Sequence, residues 1–179
     1  MDSLSLLTLR SGDHGEKLTQ AKLLYSKYEI DEAIRQIARV IRYEWLPNMR
    51  RPILVGLLEG CQPFFWALVR ELDWREDLLL HLTHPDYPLV APLYKGKDII
   101  VVDDIIDSGR TIRELDVKLK TVASQVRYTC LLSKERTVQL VGFNLKPSTG
   151  WLVGFGMDWC GGYRNLNAIY EVINETKNS

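Results

Sequence analysis

The chain is short of cysteine, of net charge and of long apolar runs, and each shortage narrows what it does. Its three cysteines, Cys61, Cys130 and Cys160, are odd in number and widely spaced. They read as reduced thiols of a cytosolic protein, with no metal-ligand spacing. Lysine plus arginine and aspartate plus glutamate both number 23. No global basic field therefore points to nucleic acid, and a nucleotide-sized substrate would be held by local charges. The longest apolar stretches, such as residues 53–58, fall far below membrane-spanning length. Met1-Asp2-Ser3-Leu4 lacks a basic segment followed by an apolar core, which predicts no signal peptide. No repeat, low-complexity tract or Gly/Ser linker is visible. With 179 residues, 46% of them hydrophobic, the simplest reading is one cytoplasmic domain with a real core, with no membrane and no nucleic-acid partner.

The apolar pattern alternates between two periods. Ile30, Ala33, Ile34, Ile37, Val40, Ile41 and Tyr43 recur at helical spacing over 30–45, until Pro47 and Pro52 intervene. Residues 52–58 read as a buried strand, 64–72 as a helix with Phe65, Leu68, Val69 and Leu72 inward, and 78–82 as a third strand. Strand-like runs follow at 128–132, near 138–143 and at 151–155, whereas residues 5–27 have no clear placement. This alternation predicts an α/β fold with a mainly parallel sheet flanked by helices. Ligands of such sheets bind beyond the carboxyl ends of the strands.

What is plentiful lies at 99–112: Ile-Ile-Val-Val-Asp-Asp-Ile-Ile-Asp-Ser-Gly-Arg-Thr-Ile. The β-branched run 99–102 suits a strand buried on both faces. Asp103 and Asp104 follow without a spacer, placed for a sugar diol or a metal ion. Asp107, Ser108, Gly109, Arg110 and Thr111 then open a helical pattern of Ile112, Leu115, Val117, Leu119 and Val122. Such a turn makes a phosphate cradle: amides at the helix start point outward, Gly109 allows close approach, and the Ser108 and Thr111 hydroxyls add bonds. The bland alternative is an ordinary capped helix start. Adjacent acids at the end of a buried strand argue against it, being costly without a task.

The 101–111 stretch resembles the phosphoribosyl-diphosphate (PRPP) signature of type I phosphoribosyltransferases, and its Ile-Ile-Asp-Ser-Gly form is closest to hypoxanthine-guanine phosphoribosyltransferases. Residues 57–65 resemble that family's pyrophosphate loop and following helix, and 131–134 its purine-reading strand. Residues 151–158 with Tyr163-Arg164-Asn165-Leu166 resemble its C-terminal segment. Together the matches span roughly 52–175, in order.

The resemblance implies a core of about 30–145 and a small hood from 1–29 and 146–179. It further implies transfer of the phosphoribosyl group to hypoxanthine or guanine with Mg2+, by a homodimer or homotetramer. Asp107 would handle the purine proton, with an N-cap as its alternative role. Residues 107–111 would hold the 5′-phosphate. Asp103 and Asp104 would address the ribose hydroxyls and magnesium, which would ease the ionisation of two crowded acids. Glu59, Gly60 and Arg164 would meet pyrophosphate. Lys134 would donate to the purine oxygen, Trp151 and Ile105 would cover its ring faces, and Leu152 would offer backbone groups. Asp158 would be a magnesium ligand beside the purine. Lys134 also reads as a surface lysine, Trp151 as core, and Asp158 with Arg164 as a surface ion pair.

Two departures from the family bear on activity. Glu59 stands where relatives carry Lys or Arg before the loop glycine. The long mobile lid is replaced by the short, proline-rich 81–92 stretch, which predicts slower transfer or a substitute lid. His81 and His84 there read as loop histidines rather than metal ligands. The alternatives kept open are a PRPP- or nucleotide-binding regulator with weak or lost catalysis, and a phosphoribosyltransferase for an unusual base.

Overall fold

The computed structural model describes residues 6–11, 17–72, 78–84, 92–133, 140–144 and 150–173. They gather into two compact units, one of 1–31 with 146–179 and one of 32–145.

The larger unit is built on five parallel strands: β3 (Ile53–Leu57), β4 (Leu79–Thr83), β5 (Asp98–Ile106), β6 (Gln125–Ser133) and β7 (Leu140–Asn144), in the order β4-β3-β5-β6-β7. The smaller unit is an antiparallel sheet of β1 (Leu6–Ser11), β2 (Lys17–Tyr25), β9 (Ile169–Val172) and β8 (Leu152–Val153), in the order β1-β2-β9-β8. The unplaced 5–27 stretch thus supplies two strands. Its mixed pattern suits strands with one face on the small core of Leu9, Ala21, Val153 and Val172.

Helix α1 (Lys27–Val40) starts earlier than its apolar pattern predicts. Ser26 and Glu29 explain this by a reciprocal cap. The Glu29 carboxylate accepts from the Ser26 N–H at 2.8 Å, and the Glu29 N–H donates back to the Ser26 hydroxyl at 3.3 Å. The helix continues through a wider turn at Ile41–Trp45 and ends in a tight turn holding Pro47.

In the parallel sheet, alternate residues of β3 face opposite layers. Ile53, Val55 and Leu57 join a core with Leu115 and Leu119 of α3 (Arg110–Leu119). Gly56 faces α2 (Gln62–Glu71): a side chain there would meet Leu82 at 2.6 Å and Phe65 at 2.7 Å. Val69 of α2 is only partly buried. Val117, expected on the inner face of α3, is exposed, and Val122 lies past the end of that helix. His81 lies within β4 beside Val55, not in a loop, and its ring bonds the Tyr94 hydroxyl.

The strand order places a switch point between β3 and β5. From β3 the chain moves outward to β4, then returns to the other side of β3 as β5. Connections leaving neighbouring strands in opposite directions open a crevice at their carboxyl ends.

Two tyrosines buried in this unit set its alkaline limit. Burial pushes the Tyr94 phenol up to about 12. Burial and the hydrogen bond to Asp116 (2.9 Å) push Tyr128 further up. Above pH about 10, unfolded tyrosines lose protons that the folded chain retains, so stability falls as pH rises. Chemical denaturation across pH 9–12 should show this decline, and Tyr94→Phe should flatten it while costing about 1 kcal/mol at neutral pH for the lost hydroxyl bond.

Candidate active site

The switch point gathers the loop after β3 and the end of β5. Strand β5 is longer than expected, so Asp103 and Asp104 lie inside it, with Asp103 paired to Cys130 of β6. The two acids occupy backbone donors in series. Asp103 Oδ1 accepts from the Asp104 N–H at 3.0 Å, and Asp104 Oδ1 accepts from the Ile105 N–H at 2.9 Å. Burial first, and then the charge of Asp104, hold the Asp103 carboxyl well above the usual carboxylate range.

Gly60 approaches this pair closely. A side chain at that position would sit 2.0 Å from Asp104 Oδ2, so the 59–61 loop and the acid pair are in direct contact. A Cβ at this position would displace the Asp104 carboxylate. Glu59, joined to Leu58 by a cis peptide, is exposed.

Two thiols face the same charges. Burial, with Asp103 and Asp104 adding to it, pushes the Cys61 thiol far up, and burial with Asp103 pushes Cys130 up to about 12. Both are therefore neutral at physiological pH, which excludes them as thiolate nucleophiles. Sequence reasoning found the acids but not these neighbours; only the β5–β6 register and the start of α2 at Cys61 reveal them.

Beyond β5, residues 107–109 turn into α3. A cavity of about 140 Å³ opens there, lined by Asp103, Ile105, Ile106 and residues 107–112. Gly109 is the N-cap in a left-handed conformation (φ 65°) and, having no side chain, gives the helix no cap bond of its own. Asp107 is thus not the N-cap residue itself. Asp107, Ser108, Arg110 and Thr111 are all exposed around the cavity. Arg110 reaches Glu114 at 2.8 Å, and Arg113 donates to the Ser108 carbonyl at 2.7 Å. The Arg113 grip was not read from the sequence, though its place one turn into α3 puts it within reach of the loop.

The remaining predicted residues fall elsewhere. Lys134 and residues 85–91 of the short lid stretch lie outside the described residues. Trp151, Leu152, Asp158 and Arg164 belong to the smaller unit. Trp151 is 62% exposed and so is not a core residue; its indole N–H donates to the Asp158 carbonyl at 2.7 Å. Leu152 lies on β8, the edge strand to which the 151–155 run contracts, and Gly154 and Phe155 leave it with positive φ. The Asp158 carboxylate is 3.0 Å from the Arg164 guanidinium and accepts from the Gly161 N–H at 2.9 Å. This is the ion pair that the sequence left open as their ordinary reading.

No cluster of three His, Cys, Asp or Glu side chains suited to a metal occurs among the described residues. Asp103 and Asp104 nevertheless fit Mg2+, a hard cation that takes one or two carboxylates and completes its shell with water and substrate oxygens. No helix among the described residues is long and apolar enough to cross a membrane.

The family described as phosphoribosyl transferase domain matches residues 21–158. The bifunctional protein TilS/HprT of Listeria monocytogenes is 32% identical over 167 residues, covering 83% of this chain and 25% of that protein. The chain thus spans about a quarter of the first curated relatives it matches. A hypoxanthine-guanine phosphoribosyltransferase of Lactococcus lactis is 29% identical over 170 residues, covering 81% of this chain and 87% of the relative. Among solved structures, the Schistosoma mansoni hypoxanthine-guanine phosphoribosyltransferase in complex with IMP superposes with a TM-score of 0.70 at 23% identity, covering 85% of this chain and 81% of that one. A Bacillus anthracis hypoxanthine-guanine phosphoribosyltransferase gives 0.68 at 23% identity, covering 94% and 100%.

The contact between Gly60 and Asp104 yields a direct test. Gly60→Ala should lower stability by about 1–3 kcal/mol, and most of that loss should vanish in an Asp104→Ala background. A thermal-denaturation double-mutant cycle reads the coupling.

Proposed function

Because the chain belongs to the phosphoribosyl transferase domain family, we propose that it transfers the 5-phosphoribosyl group of PRPP to a 6-oxopurine, hypoxanthine or guanine, releasing pyrophosphate. The observation that carries this reading is the cavity at 103–112, where the half-buried Asp103 near the end of β5 adjoins a helix start entered through a left-handed glycine. The first N–H groups of a helix have no partner within it and can meet an anion. That suits residues 107–111 to the 5′-phosphate, with the Ser108 and Thr111 hydroxyls in support. Gly60, against Asp104, suits the pyrophosphate side, where backbone amides replace the basic side chain that Glu59 lacks.

In the step itself, a purine ring nitrogen bonds to C1 of the ribose while the bond from C1 to the pyrophosphate oxygen breaks. Pyrophosphate leaves with that electron pair. The proton on the ring nitrogen passes to the exposed Asp107 carboxylate, a base placed at the mouth of the cavity. Asp103 and Asp104 would hold Mg2+ and the ribose hydroxyls; the ion, when bound, offsets charge on pyrophosphate. The roles of Ile105, Lys134, Trp151, Leu152, Asp158 and Arg164 toward purine, metal and pyrophosphate rest on the family resemblance. The open indole of Trp151 supports a stacking role.

Purified protein supplied with PRPP, Mg2+ and hypoxanthine or guanine should release pyrophosphate and form the monophosphate. Asp107→Asn should cut turnover by about 10²–10⁴-fold with PRPP binding largely kept; near-normal turnover would remove Asp107 from the chemistry. Tight PRPP binding by calorimetry with no pyrophosphate release for any base would instead identify a binding regulator.

A further inference from the structure

Among the described residues, Glu171 is the one charged residue that the purine-transfer reading does not use and that the smaller unit nonetheless buries, at 5% exposure. A carboxylate removed from water is costly unless it is paired and bonded. Here both oxygens are engaged. Oε1 accepts the Gly150 N–H at 3.0 Å, and Oε2 lies 2.8 Å from the ammonium of Lys22, by charge rather than an aligned hydrogen bond. Lys22 stands directly opposite Glu171 across β2 and β9, and Leu152 stands opposite it on the other side, across β8.

This arrangement grips the backbone just before Trp151. A side chain at position 150 would sit 2.3 Å from the Val172 carbonyl oxygen and 2.8 Å from Glu171 Cγ. The Val172 N–H then donates to the Trp151 carbonyl at 2.8 Å. The Trp151 ring is tied at its polar tip, to the Asp158 carbonyl, and most of it stays open to solvent. Replacing a buried ion pair with apolar residues is often neutral or stabilising. Stability alone therefore does not explain a charge at this place, whereas fixed geometry does.

We propose that Glu171, held by Lys22, is a positioning residue for base recognition, setting the Gly150–Trp151–Leu152 backbone on which the purine is received. The proposal rests on the reading that Trp151 and Leu152 meet the base. Glu171→Leu removes both charge and acceptor, Glu171→Gln keeps an acceptor for Gly150, and Lys22→Met releases the carboxylate.

Steady-state kinetics should show KM for hypoxanthine and guanine raised about tenfold in Glu171→Leu, with KM for PRPP and kcat within about twofold. Glu171→Gln should recover most of the loss, and Lys22→Met should move the base KM in the same direction by a smaller factor. Amide hydrogen exchange at residues 150–152 should be faster in Glu171→Leu. An unchanged base KM, or an equal rise in the PRPP KM, overturns the proposal. If the unsubstituted protein transfers to no purine, the functional reading fails separately. Exchange then decides the positioning claim: unaltered protection at 150–152 overturns it and faster exchange upholds it. Should Glu171→Leu not fold, Lys22→Met with the same readouts decides in its place.

Discussion

Two carboxylates at consecutive positions of a buried parallel strand are the constraint around which the larger unit is arranged. Asp103 and Asp104 repel each other, and burial around Asp103 leaves it little water to soften this. The surroundings are shaped accordingly. Backbone N–H groups of β5 itself approach the oxygens, Gly60 comes in without a side chain, and the nearest thiols stay protonated. A site that concentrates negative charge before substrate arrives is poised for a cation and for hydroxyl groups. The start of α3, a few residues later, has the opposite character, the positive end of a helix dipole. Adjacent stretches of one strand–turn–helix thus present opposite electrostatic characters.

Much of this was legible in the sequence because the decisive signals are local. The β-branched run, the acid pair and the Gly turn at 99–112 announce a strand, a cavity and a helix start, and each is present. The parallel sheet followed from alternating periods, with β3 and β4 within a residue or so of expectation. What was hidden depends on register or on pairing between distant residues. The extension of β5 through its acids is set by pairing with β6 as far as Ser133, not by the composition of residues 103–106. The early start of α1 needed the Ser26–Glu29 cap, which an apolar pattern does not register. Strands β1 and β2 escaped notice because the core they face is small, with only Leu9 and Ala21 of the two strands fully buried in it. The meeting of Gly60 with Asp104 joins residues far apart in sequence, and no spacing rule reveals it.

The smaller unit spends its polar groups differently. Asp158 and Arg164 engage each other, the Gly156 carbonyl and the Gly161 N–H, while the Asp158 carbonyl holds the Trp151 indole. An arginine and aspartate already paired, and only partly buried, keep their orientation before any ligand arrives, and breaking a pair so open to water costs little. That combination suits groups that must be both preset and available.

The three cysteines end up in contrasting chemical situations. Cys61 and Cys130 are buried and neutral beside the acid pair, whereas Cys160 is exposed in a tight turn of the smaller unit, with positive φ. Maleimide or iodoacetamide dyes react through thiolate and need access. Mild labelling of the unsubstituted chain therefore attaches a single probe at Cys160. The protein thus carries a built-in, one-to-one attachment point for spectroscopic reporters, with the thiols beside the acid pair left untouched and no cysteine needing removal.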